Sequence, residues 1–426
     1  MKFTEKLIRI FKDNDLRKKI FFVLCLLFVF RVAAHIPVPG VDVVALRNFF
    51  ADNQILGLLN IFSGGGMSNF SIVALGIGPY ITASIIFQLL AMIVPKLEEI
   101  SKEGESGQKK INQYTRLLTL PMAFLQGYSM IKLLQQSQRG IIGNISAFEY
   151  LTIIVILAAG TIFLMWLGEL ISEKKIGNGV SLIIFAGIVS GIPGSVQRTL
   201  ATFDPSQILN LAVFLAIGVI TVAGVVYITE AQRNIPVSYA KRVRGIRMYG
   251  GFDTHLPLRV NQAGMIPIIF AISLIMFPPL VAQMAMRAQS HVIVSASTFV
   301  MELFQNQIFY GALYFFLVVA FTYFYTAIIF HPQQIADNLQ KQGGFVPGIR
   351  PGRQTAEYLG KTSNRIMLAG ALSLGIVAIL PLIIGPMTGV KSMVISGASL
   401  LIVVSVVIET VKQIESQLVM RDYDGF

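Results

Sequence analysis

Charge is what this sequence has least of. Only 13% of its 426 residues are Asp, Glu, Lys or Arg, against about 25% in a soluble globular chain. With 54% hydrophobic residues, the chain has too little charge to cover a water-facing surface, which points to a bilayer. Cysteine is almost missing. Cys25 alone excludes an internal disulfide and a cysteine-built metal site, and it reads as a small apolar residue of the first hydrophobic run. Acids are missing from the runs themselves. Asp13, Asp15, Asp42, Asp52, Asp204, Asp253, Asp337, Asp422 and Asp424 fall outside them, and Glu169, Glu230 and Glu409 lie at their ends. A proton-coupled transporter needs intramembrane acids on which a proton can rest, and no such relay is present. An aspartyl dyad is excluded by the same positions. His35, His255, His291 and His331 lie in loops or at run ends, so a serine nucleophile at depth has no base. "SGGG" at 63–66 is not followed by Lys-Ser/Thr at phosphate-loop spacing. No enzyme, cofactor or metal site is expected. No cleavable signal is expected either: "MKFTEKLIRIFKDNDLRKK" is basic and amphipathic, and no small-residue cleavage site follows the first run.

What is present is a series of apolar runs. A span takes about 20 apolar residues, and ten stretches qualify: 20–38, 71–94, 115–135, 149–170, 179–196, 208–229, 260–281, 308–330, 365–384 and 393–411. The second, fifth and seventh are interrupted by Gly, Pro or short polar residues. Such breaks are tolerated at membrane depth where protein or a water-filled cavity satisfies the backbone. The net charge is +12, and its distribution orients the chain. Of the 34 Lys and Arg residues, Arg31 falls inside the first run, and Arg47, Lys132, Arg139, Arg198, Arg287 and Lys391 fall on one set of alternate loops. The other 27 lie on the termini and the opposite loops. By the positive-inside rule both termini are cytoplasmic.

Two cytoplasmic loops, 230–259 and 331–364, exceed ordinary connection length. The Pro, Gly and β-branched content of the first predicts a hairpin. The spans divide five and five near residue 200, giving halves 1–200 and 201–426. Paired halves are common in transporters and channels.

The second run holds "GIGPYITASIIFQLL", weak for a span. On a helix Ile77, Ile81 and Ser84 share a face, and the small residues around them permit close helix approach. The fifth run offers Ile184 and Ile188 at the same spacing, and the seventh has Pro267 just ahead of Ile269. Each isoleucine taken alone reads as lipid contact or core packing, and a functional reading needs these faces to converge on one axis, which spacing does not show.

Six motifs occur in order: "GIGPYITASIIFQLL", "INQYTRLLTL", "WLGELISEKKIGNGVSLIIFAGI", "LPLRVNQAGMIPIIFA", "FTYFYTAIIFHPQQIADNLQKQGGFVPGIRPGRQT" and "GASLLIVVSVVIETVKQI". Together they resemble the SecY family, the channel subunits of the bacterial protein translocase. The resemblance implies an all-α polytopic membrane protein of ten helices, in two pseudo-symmetric five-helix halves around an hourglass pore. It implies a pore ring at Ile77, Ile81, Ile184, Ile188, Ile269 and Ile402. It implies a plug in 57–70 that includes Leu59, Ile61 and Phe62, hinged at Gly64, Gly65 and Gly66. A lateral gate between the second and seventh helices would use Thr82, Ser84, Gln88 and Pro267. Arg242, Arg244, Arg247, Arg350 and Arg353 would contact the ribosome or the ATPase SecA. The further partners implied are SecE, SecG, signal sequences, nascent chains and membrane lipids. The implied activity is translocation of unfolded secretory polypeptides across the bacterial cytoplasmic membrane, with sideways release of transmembrane segments into lipid.

The resemblance also accounts for the weak second run. A helix that must part from its neighbour is better joined by a seam of small and polar residues than by long apolar ridges. The alternative reading, a secondary transporter of small solutes, fits ten spans and broken helices but lacks buried acids for proton coupling.

Overall fold

The computed structural model describes residues 12–52, 60, 63–135, 141–143, 146–201, 208–239, 242–244, 247–249, 253–286, 290–388 and 397–424. In chain order these form α1 (Asn14–Ala33), α2 (Val43–Asp52), α3 (Gly78–Ile93), α4 (Pro95–Lys102), α5 (Glu105–Gln135), α6 (Ala147–Glu173), α7 (Gly179–Ala201) and α8 (Ile208–Glu230). Strands β1 (Gln232–Tyr239), β2 (Arg242–Arg244), β3 (Arg247–Tyr249) and β4 (Asp253–Arg259) follow. Then come α9 (Ile266–Ala285), α10 (His291–Gln305), α11 (Gln307–Ile329), α12 (Pro332–Lys341), β5 (Gly344–Phe345), α13 (Arg353–Thr388) and α14 (Gly397–Asp424).

Each of the ten apolar stretches carries a helix. Among the described residues, Ser106–Gln135, Ala147–Glu173, Gln307–Lys341 and Arg353–Leu380 are each long and apolar enough to cross a membrane. Gly78–Ile93 and Pro95–Ser101 qualify together, as a pair bent by 106°. Gly179–Gly194, Leu215–Glu230 and Ile266–Ile275 are shorter apolar helices. The protein is a multi-pass membrane protein.

Local sequence sets the helix ends. Asp13 caps α1 by accepting from Asp15 N and Leu16 N at 2.9 and 3.2 Å. Ser146 and Glu149 form a reciprocal capping box on α6. Asn306 caps α11, accepting from Ile308 N and Phe309 N. Pro95 removes the donor that would continue α3, so the chain breaks at Val94 and restarts as α4. Two expected spans begin later than their apolar runs. The second run starts at 71, but helix starts only at Gly78, because residues 71–77 are turns bonded to 36–38. The seventh starts at 260, but helix starts at Ile266, after Gly264 takes a φ of +64°.

The chain divides into two units. One comprises Met1–Pro205, Ser273–Gln305 and Val406–Phe426; the other comprises Ser206–Ile272 and Asn306–Ser405. The division passes within α9 and α14. In the first unit, Leu46 and Phe50 of α2, Met67, Phe70 and Leu75, Ile131 and Leu134 of α5, and Ile153 and Leu157 of α6 form one apolar core. In the second, the expected hairpin is present: β1 and β4 pair antiparallel, with Ile235 opposite Leu256. The other long loop joins the same sheet, since β5 pairs with β1 at Ser238↔Phe345 and Tyr239↔Gly344. The sheet order is β4-β1-β5. Ile235 and Val237 point inward from β1 at the two-residue strand period and pack with Leu258, Val346 and Leu359.

Candidate functional site

In the first unit Asn60 and residues 63–77 are tightly tied. Ser68 N donates to Asn60 Oδ1 at 2.8 Å, and Met67 N donates to Ser63 Oγ at 3.0 Å. Ser71 N returns to the Gly66 carbonyl at 2.9 Å. Gly64 and Gly65 adopt φ of +67° and +80°, the left-handed region that glycine enters without steric cost. Gly66 has no such φ; it is needed for space, since a Cβ there would lie 2.9 Å from Ser71 Oγ. The segment is strapped outward by Val38 N to the Phe70 carbonyl at 2.8 Å and Ile72 N to the Ile36 carbonyl at 3.0 Å. Arg47 adds a bond to Asn69 Oδ1 at 2.7 Å. Leu59, Ile61 and Phe62 lie outside the described residues.

Gly64 brings three elements together. A Cβ on it would stand 2.9 Å from both Gly187 Cα of α7 and the Phe30 ring of α1. Its carbonyl accepts a hydrogen bond from Arg31 Nη1 at 2.5 Å. Gly187 sits between Ile184 and Ile188, so the glycine turn touches α7 at the level of those two isoleucines. Ile184 and Ile188 are buried, at 2% and 4% exposure. Ile77 is the residue before α3, and its carbonyl accepts from Ile81 N at 3.0 Å, placing the two one helical turn apart. Ile77 is buried and Ile81 half-buried. In the second unit Ile269 of α9 and Ile402 of α14 are both buried.

Thr82, Ser84 and Gln88 lie along α3. Thr82 Oγ1 donates to the Gly78 carbonyl at 3.0 Å, and Gln88 Nε2 donates to Ser84 Oγ at 3.2 Å. The Gln88 side-chain oxygen is buried without a partner among the described residues. Gln126 of α5 reaches Thr82 Oγ1 at 3.3 Å, a contact that sequence reasoning missed. Its signal was an amide in the middle of the third run. Pro267 stands in the first turn of α9, while Pro278 and Pro279 remove two donors from its interior. Just before α9, Asn261 is buried and Gln262 Nε2 reaches Ser363 Oγ at 3.3 Å. Arg116 of α5 and Glu169 of α6 form an ion pair at 2.5 Å, also unforeseen.

Between α8 and α9, Arg242 and Arg244 lie on β2 and Arg247 on β3, with Arg244 opposite Arg247 in register. Arg350 is exposed, and its carbonyl accepts from Thr355 Oγ1 at 2.9 Å. Arg353 opens α13. Arg233 and Arg259, on β1 and β4, are exposed cations on the same hairpin that the site reading did not include.

A family model for SecY matches residues 71–411. The translocase subunit SecY of Streptomyces scabiei is 43% identical over 437 residues, covering 98% of both chains. That of Halalkalibacterium halodurans is 45% identical over 427 residues, also covering 98% of both. The chain belongs to the SecY family. Among solved structures, a protein-conducting channel superposes with a TM-score of 0.65 at 17% identity, covering 94% of this chain and 92% of that one. A SecY structure described by its plug domain gives 0.62 at 18% identity, covering 93% and 91%. Sec61 from a canine ribosome-channel complex gives 0.61 at 17% identity, covering 94% and 92%. These likenesses show that the SecY fold extends over nearly the whole chain. Among the described residues of this SecY-family chain, no three His, Cys, Asp or Glu side chains could hold a metal ion.

Proposed function

We propose that the chain is the pore-forming subunit of a protein translocase in a bacterial cytoplasmic membrane, with both termini cytoplasmic. The observation that carries this is the 43–45% identity, over nearly the full length of each chain, to proteins named as translocase subunits. In this reading residues 1–200 and 201–426 are the two halves. Ile77, Ile81, Ile184, Ile188, Ile269 and Ile402 make an aliphatic neck, and Gly64–Gly66 seat a plug on it. A neck of this kind conducts polypeptide by deforming and resists ions by exclusion. Water leaves a narrow apolar constriction, and an ion entering it sheds hydration at large cost. The small and polar residues Thr82, Ser84 and Gln88, with Pro267 on α9, make a seam that an apolar segment can part on its way into lipid. SecE and SecG would complete the membrane complex, and the ribosome and SecA would deliver substrate.

Crosslinking tests the path. In a Cys25→Ala background, cysteine at Ile81 or Ile184 should crosslink to a stalled secretory chain, while cysteine at the exposed Val219 should not. Equal yield at all three positions would refute the neck. The basic loops carry a separate expectation. Arg350→Ala should weaken ribosome binding by roughly tenfold at low salt, and its salt slope should fall by about one. A binding curve that keeps the parent slope would assign Arg350 to topology alone.

A further inference from the structure

We infer that Arg31 is the latch of the plug: a positioning residue whose guanidinium holds the glycine turn seated against α7. This rests on the channel reading above. Arg31 is twelve residues along α1 from Lys19, about 18 Å at helical rise, against a hydrocarbon thickness of about 30 Å. Its backbone therefore lies well inside the bilayer, where a cation is costly and calls for a functional partner. Among the described residues Arg31 forms no ion pair; its hydrogen-bond acceptor is the Gly64 carbonyl at 2.5 Å.

The surroundings make this acceptor a specific one. Phe30, next along α1, is 1% exposed, and its ring lies where a Gly64 side chain would be. On the other side Gly187 closes against the same glycine. The φ of +67° at Gly64 sets the local backbone from which its carbonyl meets Arg31. The glycine turn is thus gripped by packing from α7 and by one charge-assisted hydrogen bond from α1. Lifting the turn away leaves a guanidinium in the membrane with its carbonyl lost. That stranded charge opposes opening until a translocating chain supplies compensating contacts. Leucine at position 31 removes the bond and the stranded charge together.

The test uses the complete translocase complex reconstituted in vesicles, with Cys25→Ala and Ser63→Cys in the channel subunit. Ser63 is buried beside the latch, at 3% exposure. A membrane-impermeant maleimide added from the outer face reads how often the turn lifts. Arg31→Leu should raise the labelling rate by about tenfold, the size expected for one charge-assisted bond. Arg31→Lys, which keeps the charge but not the planar fork, should fall between. Precursor translocation should remain at half the parent rate or more, which separates a lost latch from a misassembled pore. If Arg31→Leu does not accumulate, Arg31→Gln carries the same expectation. Labelling within twofold of the parent in whichever variant assembles overturns the assignment. If the parent itself moves no precursor, the channel reading fails, while Ser63→Cys labelling still reports on the latch.

Discussion

Asparagine at Ile184 and Ile188 should open a resting ion leak, at least tenfold above the parent, in vesicles that hold the translocase and no substrate. Both side chains are buried on α7, on either side of Gly187, which meets Gly64. An amide there can hold water, which an aliphatic side chain cannot, and a hydrated neck gives an ion partial solvation instead of none. Burying an unpaired amide costs about 1–3 kcal/mol, within what a chain of this size tolerates. Val189 is the control. It follows Ile188 directly but is exposed, so Val189→Asn alters the same helix outside the proposed neck. Efflux of potassium or chloride from loaded vesicles reads the difference. Equal leak from the two variants would place the α7 isoleucines in ordinary packing.

Gly160→Val should prevent assembly of the first unit. A Cβ at Gly160 would lie 1.8 Å from the Ile72 carbonyl oxygen and 3.2 Å from Val73 Cα. Both are backbone atoms, so no side-chain rotation relieves the clash. The 71–77 run cannot withdraw without breaking the Ile72 N bond to the Ile36 carbonyl, and moving it displaces Ile77. A forced shift of this kind belongs to the tail of mutational effects, about 4 kcal/mol or more. Gly218→Ala is the reference, because nothing lies within 4 Å of its added Cβ. In mid-helix it should be neutral or stabilising by up to about 1 kcal/mol. Melting in detergent compares them. A Gly160→Val protein that melts within a few degrees of the parent would show that the crossing yields more easily than its backbone contacts imply.

The places where the sequence could be read and where it could not have physical causes. Long unbroken runs such as 149–170 announce helices because about 20 apolar residues leave few alternatives. The hairpin at β1 and β4 was legible from Pro, Gly and β-branched composition. The start of the second span was not. Residues 71–77 are as apolar as helix, and hydrophobicity alone does not separate a buried turn from a buried helix. What decides is the bond from Ile72 to Ile36, between residues far apart in the chain. The same holds for Gln126 with Thr82, Arg116 with Glu169 and Gly64 with Gly187. Each is a contact between distant elements, and nothing local records it. Spacing singled out five of the isoleucines but left each reading as lipid contact or packing, and family resemblance supplied their joint role and Ile402.

The pairing of β5 with β1 gives the second unit a mechanical handle. The sheet follows α8 directly in the chain, and its core packs against α13 and the segment after α11, so a partner gripping either loop pulls on both. Work done on one loop would then be shared with the other through β1, and neither loop could be pulled alone.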